Sequence, residues 1–311
     1  MKRPRIRFWP ATAEARRGRL ARRRECWFYL LISPWLVGLI LFQSGPILGA
    51  LLLSFIHWPL PQAPRFVGLA QLGALVADRL FWRALANSVY YAAGSIAPSM
   101  ALGLALALAF RPERRATHLL RAVVFLPVIL PGVATAFVWG WMFNPRYGAI
   151  NALLAAVGVR GPGWLFDEAW AMPALILMSL WSAGSSMLVY LAALRSVPAE
   201  LYEAAALDGA GRWSAFRHIT WPLLSPATSL LLTINMIAAM QVFTPTYALT
   251  RGGPNNATLT LPLCTYFNAF VWGRLGYASA QALALFALIL GLTLLQMRVS
   301  RGKVFYMGGE G

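Results

Sequence analysis

Few side chains in this 311-residue sequence are equipped for chemistry, and their spacing excludes most of it. His57, His118 and His218 fall in separate loops or span ends, with no spacing that would hold a metal ion. Cys26 precedes the first apolar stretch and Cys264 falls in the last outer loop. A hydrocarbon layer about 30 Å thick would separate them, so no disulfide joins them. No GxxxxGK[ST] motif occurs, and Lys2 and Lys303 are the only lysines, so that route to a nucleotide is closed. Glu203 and Asp208 invite an acid–base reading. Five residues apart on a helix, however, they diverge by about 140°, and no second polar cluster faces them. A catalytic role has no constellation to support it.

The polar segment that holds this pair is the informative part of the chain. EAAALDGAGRWSAFRHITWP, Glu203 to Pro222, lies between two long apolar stretches. Arg195 closes the stretch before it, and Pro198 suits the first turn of a helix, where a missing N–H costs nothing. Glu200 and Glu203 then stand near the positive helix end, which favours carboxylates. Ala199 and Ala204 to Ala206 give high helix propensity with little bulk, so a partner could approach closely. Gly209 and Gly211 are expected to break this helix. Arg212 to His218 can form a second one, with Phe216 and Ile219 on one face and Pro222 opening the next apolar stretch. Helix, glycine turn, helix describes either a docking loop for a soluble partner or an interfacial connector with no partner.

Composition sets what surrounds this loop. The chain is 59% hydrophobic and 12% charged, against about 45–50% and 25% in soluble domains. Apolar runs of about 20 residues, enough to span a bilayer as helix, occur near 28–55, 88–110, 119–143, 172–194, 222–246 and 276–297. Helices are required because lipid offers no partner to an open backbone, and the alternation of barrel strands is absent. The expected fold is an all-α integral membrane protein of six transmembrane helices. A basic N-tail (1–27) and a C-tail (298–311) flank a six-span domain (28–297), with the 203–222 loop between spans four and five.

Orientation follows from the basic residues. Alternate segments hold 20 and 7 of the 27, and ten against seven once the N-tail is set aside. Both termini and the 203–222 loop are therefore expected in the cytoplasm. The net charge of +17 and the run RRGRLARRR (Arg16 to Arg24) could suggest nucleic acid. A basic run that ends at the start of an apolar span is instead a topogenic and anionic-lipid signal, and no nucleic-acid partner is expected. The apolar run from Trp27 to Phe55 is too long for a signal peptide and reads as a retained span.

These residues resemble a known family. Glu203, Ala204 and Ala205, then Gly209, then Ile219, Trp221 and Pro222 are similar to the EAA loop of bacterial ABC importer permeases, whose pattern ends Ile-x-Leu-Pro. Asp208, Ala210 and Phe216 fit the commoner form of that loop, and Trp221 departs from it where leucine is usual. The closing SFIHW of span one (Ser54 to Trp58), FVGLAQ (Phe66 to Gln71, with Gln71 where asparagine is usual), NPRYGAIN (Asn144 to Asn151), LTRGGPNNATLTL (Leu249 to Leu261) and GYASA (Gly276 to Ala280) resemble its carbohydrate-uptake branch. The resemblance implies an inner-membrane permease that pairs with a second homologous permease. It also implies two cytoplasmic ATPase subunits, which bind ATP and Mg, and an extracytoplasmic solute-binding protein. No cofactor and no enzymatic activity of its own are expected in this chain. Glu203, Ala204, Ala205, Asp208, Gly209, Phe216, Ile219 and Pro222 would form the ATPase-coupling loop.

Contacts to a solute are read from polar side chains inside spans, which are costly in lipid and tend to face a cavity or a partner. Ser182, Ser185 and Ser186, Asn235, Gln241 and Gln281 are candidates, with Trp139, Trp181 and Tyr247 as flat apolar surfaces for a sugar. Serines also pack helix on helix, and tryptophans at span ends form interfacial belts. A secondary transporter or channel is the alternative, yet no Asp, Glu, Lys or Arg lies well inside spans two to six to carry ion coupling. A membrane enzyme lacks a constellation, and a scaffold leaves the loop unexplained.

Overall fold

The structure, a computed structural model, describes residues 27–58 and 61–300. The expected N-tail up to Cys26 and the C-tail from Arg301 lie outside the described residues. The rest is mostly helical. Helix α1 (Trp27–Leu53) leads through the short antiparallel strands β1 (Ile56–His57) and β2 (Arg65–Phe66) to α2 (Ala70–Ala77) and the 31-residue α3 (Arg79–Ala109). Then come α4 (Arg115–Ile129), α5 (Gly132–Met142), the short α6 (Ala149–Ala156), α7 (Glu168–Ser182) and α8 (Gly184–Arg195). The polar loop contains α9 (Ala199–Leu207) and α10 (Arg212–Leu223), and α11 (Ser225–Met240), α12 (Leu261–Val271) and α13 (Leu275–Ser300) complete the chain.

By length and composition α1, α3 and α13 can each cross a membrane alone, and counting each of three bent helix pairs as one crossing raises the number to six. The first, second and sixth apolar runs thus correspond to single helices. Helix α3 starts nine residues before the predicted 88, because Asp78 caps it by accepting from the Leu80 amide at 2.8 Å. Hydropathy misses this turn because Arg79 and Arg83 make it polar.

The third, fourth and fifth runs are not the straight rods that hydropathy suggests. Helices α4 and α5 meet at 102°, because Pro131 forces the preceding Leu130 into an extended conformation (ψ 139°). Helices α7 and α8 bend by 42° at the tightened turn Leu180–Ser182. Gly184 packs there so closely that a Cβ would lie 2.5 Å from the Val124 carbonyl oxygen. Helices α10 and α11 bend by 61° around Pro222 and Pro226, which withhold amide donors.

Among the described residues three apolar clusters form the interior. One of them, which includes Met100, Met187 and Tyr190, lies where α3 crosses α8. The crossing is close because Gly103 faces Ser186, and a Cβ on Gly103 would stand 2.6 Å from the Ser186 Cβ. At one end of the bundle Asn87 donates to the carbonyls of Asn256 (2.8 Å) and Leu259 (3.0 Å), and Tyr277 donates to Asp78 at 2.6 Å. The chain between α11 and α13 is thereby clamped onto the start of α3. Helix α1 buries none of its apolar stretch, and side chains such as Phe42 and Leu52 point outward, as a surface facing hydrocarbon requires.

Cys264, expected in a loop, sits within α12 and is fully buried. The Asn268 amide donates to its carbonyl at 3.0 Å, and Gln281 approaches its Sγ at 3.5 Å. Burial pushes the Cys264 thiol above its ordinary range, partly opposed by the Gln281 contact. In a Cys26→Ser background, Cys264 is expected to resist maleimide at neutral pH until the protein is unfolded. Rapid labelling of the folded protein would contradict this packing. Gly103→Val should lower the melting temperature in detergent, since overpacking a close crossing costs about 1–3 kcal/mol. An unchanged melting curve would show that the two helices are not in such contact.

Candidate functional site

The residues singled out from the sequence fall mainly in two places, the elbow formed by α9 and α10 and a cavity among α3, α4, α5, α7, α8 and α11. In the elbow, Pro198 stands one residue outside the helix expected to include it. Its φ of −58° with ψ of 136° makes it the cap before Ala199. The helix ends in a paired-bond motif. The Ala210 amide donates to the Ala205 carbonyl at 2.9 Å, and the Gly209 amide to the Ala206 carbonyl at 3.1 Å. Gly209 adopts φ +78°, a left-handed conformation that disfavours a Cβ. Gly211 is not a second breaker as expected. With φ −70° it is the residue before α10, which runs on to Leu223 rather than stopping near His218. Pro222 therefore lies in the last turn of α10, before the bend, and does not open α11.

The two faces of α9 differ. Glu203, Ala204, Ala206, Leu207 and Asp208 are exposed, Leu207 to 90%, while Tyr202 and Ala205 are half-buried. Phe216 and Ile219 are both half-buried, as their spacing predicts. The ring of Trp213 stacks on Phe216 at 5.5 Å, and Trp221 meets the same ring at 6.4 Å. The tryptophan found where leucine is usual is thus housed in an aromatic row. Tyr202 shares a 2.9 Å hydrogen bond with Thr220 of α10, and the Arg111 guanidinium lies 4.8 Å from the centre of its ring. Arg195, the last residue of α8, pairs with Glu113 at 2.7 Å, and through Arg111 the turn between α3 and α4 lies against the elbow. Arg121 is buried and donates to the Phe110 carbonyl, which fixes that turn with a charge-assisted bond at a helix C-terminus.

The cavity has a volume of about 340 Å³. Ser182, Ser185 and Asn235 line it together with Tyr91, Ser95, Ser99, Thr135 and Ser179. Leu175, Met178 and Val242 add apolar wall. Its hydroxyls are partly engaged locally: Ser179 donates to the Ile176 carbonyl at 2.6 Å, and Ser185 to the Ser182 carbonyl at 3.0 Å. Asn235 reaches the buried Ser186 at 3.5 Å. A chamber lined by hydroxyls and one amide, without a charged lining group, can exchange hydrogen bonds with a neutral polar solute.

The structure brings only part of the predicted pathway set together. Gln241 is exposed at the end of α11, next to Val242 of the cavity wall. Tyr247 stacks on Phe243 at 5.3 Å and touches Tyr266 edge-on at the same distance. Gln281 is fully buried away from the chamber, where it accepts from Asn268 at 3.2 Å. Trp139 packs within the apolar interior against Phe143 and Trp181. Sequence reading missed Ser95, Ser99 and Thr135. The i, i+4 spacing of Ser95 and Ser99 was a usable signal, but Thr135 comes to the chamber only through the bend after Pro131. Tyr202 and Thr220 were also missed, since their contact spans 18 residues.

Comparison with known proteins agrees with this architecture. Residues 99–303, which contain the elbow and most of the cavity, match the family described as binding-protein-dependent transport system inner membrane component. The chain is 34% identical over 287 residues to the probable ABC transporter permease protein YesP of Bacillus subtilis (strain 168), covering 91% of this chain and 93% of that one. It is also 34% identical over 277 residues to the trehalose/maltose transport system permease protein MalF of Thermococcus litoralis, covering 88% and 93%. In the crystal structure of a bacterial ABC transporter that imports the acidic polysaccharide alginate, one chain has the same fold, with a TM-score of 0.80 at 24% identity over 92% of this chain and 98% of that one. The elbow, the broken spans and the extent of these matches lead to one assignment: the chain belongs to the family of inner membrane components of binding-protein-dependent transport systems, the permeases of ABC transporters.

Proposed function

We propose that this chain is one of two homologous permease subunits of an importer for a sugar or sugar-derived solute, driven by two ATPase subunits and supplied by an extracytoplasmic solute-binding protein. Each bent pair then counts as one crossing, giving six spans with both termini and the 203–222 loop in the cytoplasm. ATP and Mg belong to the ATPase subunits. The observation that carries this reading is the outward face of α9, where Glu203, Ala204 and the almost fully exposed Leu207 form a low-relief apolar and acidic surface. Small side chains let another protein's groove approach the backbone, and Glu203 supplies a charged contact. Ala205, Asp208, Gly209, Phe216, Ile219 and Pro222 shape the elbow behind it.

Grouping of the basic segments supports the orientation. The α3–α4 turn, with four basic residues, lies against the elbow through Arg111 and Tyr202, and two of the segments expected on the outer side meet around Asp78 and Asn256. The sugar assignment is supported by relatives described as trehalose/maltose and lactose permeases and by the hydroxyl-lined chamber. Ser182, Ser185 and Asn235 would contact the solute, with Gln241 and Tyr247 near the chamber rim. Gln281 holds α13 to α12 through Asn268. A secondary transporter, the alternative from sequence, has neither a membrane-embedded coupling charge nor the family match in its favour.

In vesicles reconstituted with the second permease, the ATPases and the binding protein, solute uptake is expected only with ATP, and uptake that persists without ATP would reject the reading. Glu203→Lys and Gly209→Val should each reduce ATP-driven uptake by about tenfold, within the 1–3 kcal/mol typical of coupling between sites. Wild-type uptake by both would remove the role given to the elbow. Asn235→Leu should raise the solute KM by about tenfold, the scale of one lost polar contact of about 1–1.5 kcal/mol. An unchanged KM would place the solute elsewhere.

A further inference from the structure

A lever transmits force only if it is fixed to what it moves, and no residue of α9 is buried. Its half-buried side is narrow, formed by Tyr202 and Ala205, and alanine has little to grip with. Tyr202 makes two contacts outside its own helix. Its hydroxyl bonds Thr220 at 2.9 Å, and Thr220 is itself buried with its Oγ1 3.5 Å from the Ala215 carbonyl. Its ring lies under the Arg111 guanidinium, 4.8 Å from the centroid, a distance at which a cation is attracted to the π face. Thr220 belongs to α10, which continues through the bend into α11 and so to Asn235 of the cavity. Arg111 comes two residues after the end of α3, which carries Ser95 and Ser99 to the same chamber. One side chain thus touches segments continuous with two of the six helices that line the chamber.

We propose that Tyr202 is the positioning residue that fastens the elbow to the spans, passing displacement of α9 to α11 through Thr220 and to α3 through Arg111. This rests on the importer reading, with the ATPase acting on the outward face of α9. Tyr202 does not touch solute or nucleotide; it acts through the two elements it holds. Without its hydroxyl bond, α9 can rock on its glycine turn and proline cap, so that ATPase closure is absorbed locally and hydrolysis continues with little transport. The Arg195–Glu113 pair is exposed at both partners and is too solvent-screened to replace this link.

The test measures solute taken up per ATP hydrolysed in vesicles containing the full complex, a ratio that simple loss of protein or of assembly does not change. Tyr202→Phe and Thr220→Val remove the same hydrogen bond from opposite sides. Each should lower the ratio by about fivefold, within the usual range of coupling between sites. The double variant should fall no further than either single variant. Thr220→Ser, which keeps the hydroxyl, should retain the wild-type ratio, and Arg111→Gln should lower it through the other branch. If one variant fails to assemble, the remaining variants still decide. Wild-type ratios in Tyr202→Phe and Thr220→Val, or equal loss in Thr220→Ser and Thr220→Val, would overturn the proposal. If the wild-type complex shows no ATP-dependent uptake at all, the importer reading fails instead.

Discussion

Backbone polarity in a hydrocarbon layer is the constraint on which this structure depends. A peptide group that faces lipid must find its partner inside the protein, so every break in a span has to be compensated by packing. The breaks here occur where proline removes a donor or glycine and alanine allow a close approach. Leu130–Pro131 is one such place, and Pro222 to Pro226 is another. Around the break between α7 and α8, Gly184 lets the chain press against α4 at Val124. The same breaks make room for the polar chamber, because a bundle of straight, fully apolar rods would pack without one. The polar chamber and the irregular backbone therefore share a location for one physical reason.

Much of this was legible in the chain. Six apolar runs and the alanine–glycine loop were plain because each depends on local composition. Helix existence followed from hydropathy, and the end of α9 at Gly209 followed from the need for a left-handed residue. The bends were less legible. Pro131 and Pro222 were visible as residues, yet the angle a proline imposes depends on what packs against the broken turn. The reading of Gly211 as a breaker failed because a glycine can also serve as an ordinary extended cap. Pro198 fell one position outside its helix because its fixed φ suits the cap as well as the first turn.

The candidate site was readable only where its residues are neighbours in sequence. Glu203 to Gly209 are consecutive in the chain and could be named together as one segment. The chamber is assembled from six helices, so hydropathy could flag polar residues in spans without telling which of them converge. Ser182, Ser185 and Asn235 meet there, whereas Gln281 looks the same in sequence and serves to hold α12 against α13. The contacts of Tyr202 are long-range and involve residue types, threonine and arginine, that attract no notice in a basic loop.

In the proposed importer the elbow is a surface offered to a partner, Tyr202 its attachment, and the bent helix pairs the parts that change their relation to one another. The most direct measurement of this account is cross-linking from a single cysteine at Leu207, with Cys26 and Cys264 replaced by serine, in membranes containing the assembled complex. The account predicts a cross-link to the ATPase subunit whose yield changes when ATP is added. Labelling of that cysteine by an impermeant reagent from the outer side, with no cross-link to the ATPase, would contradict it.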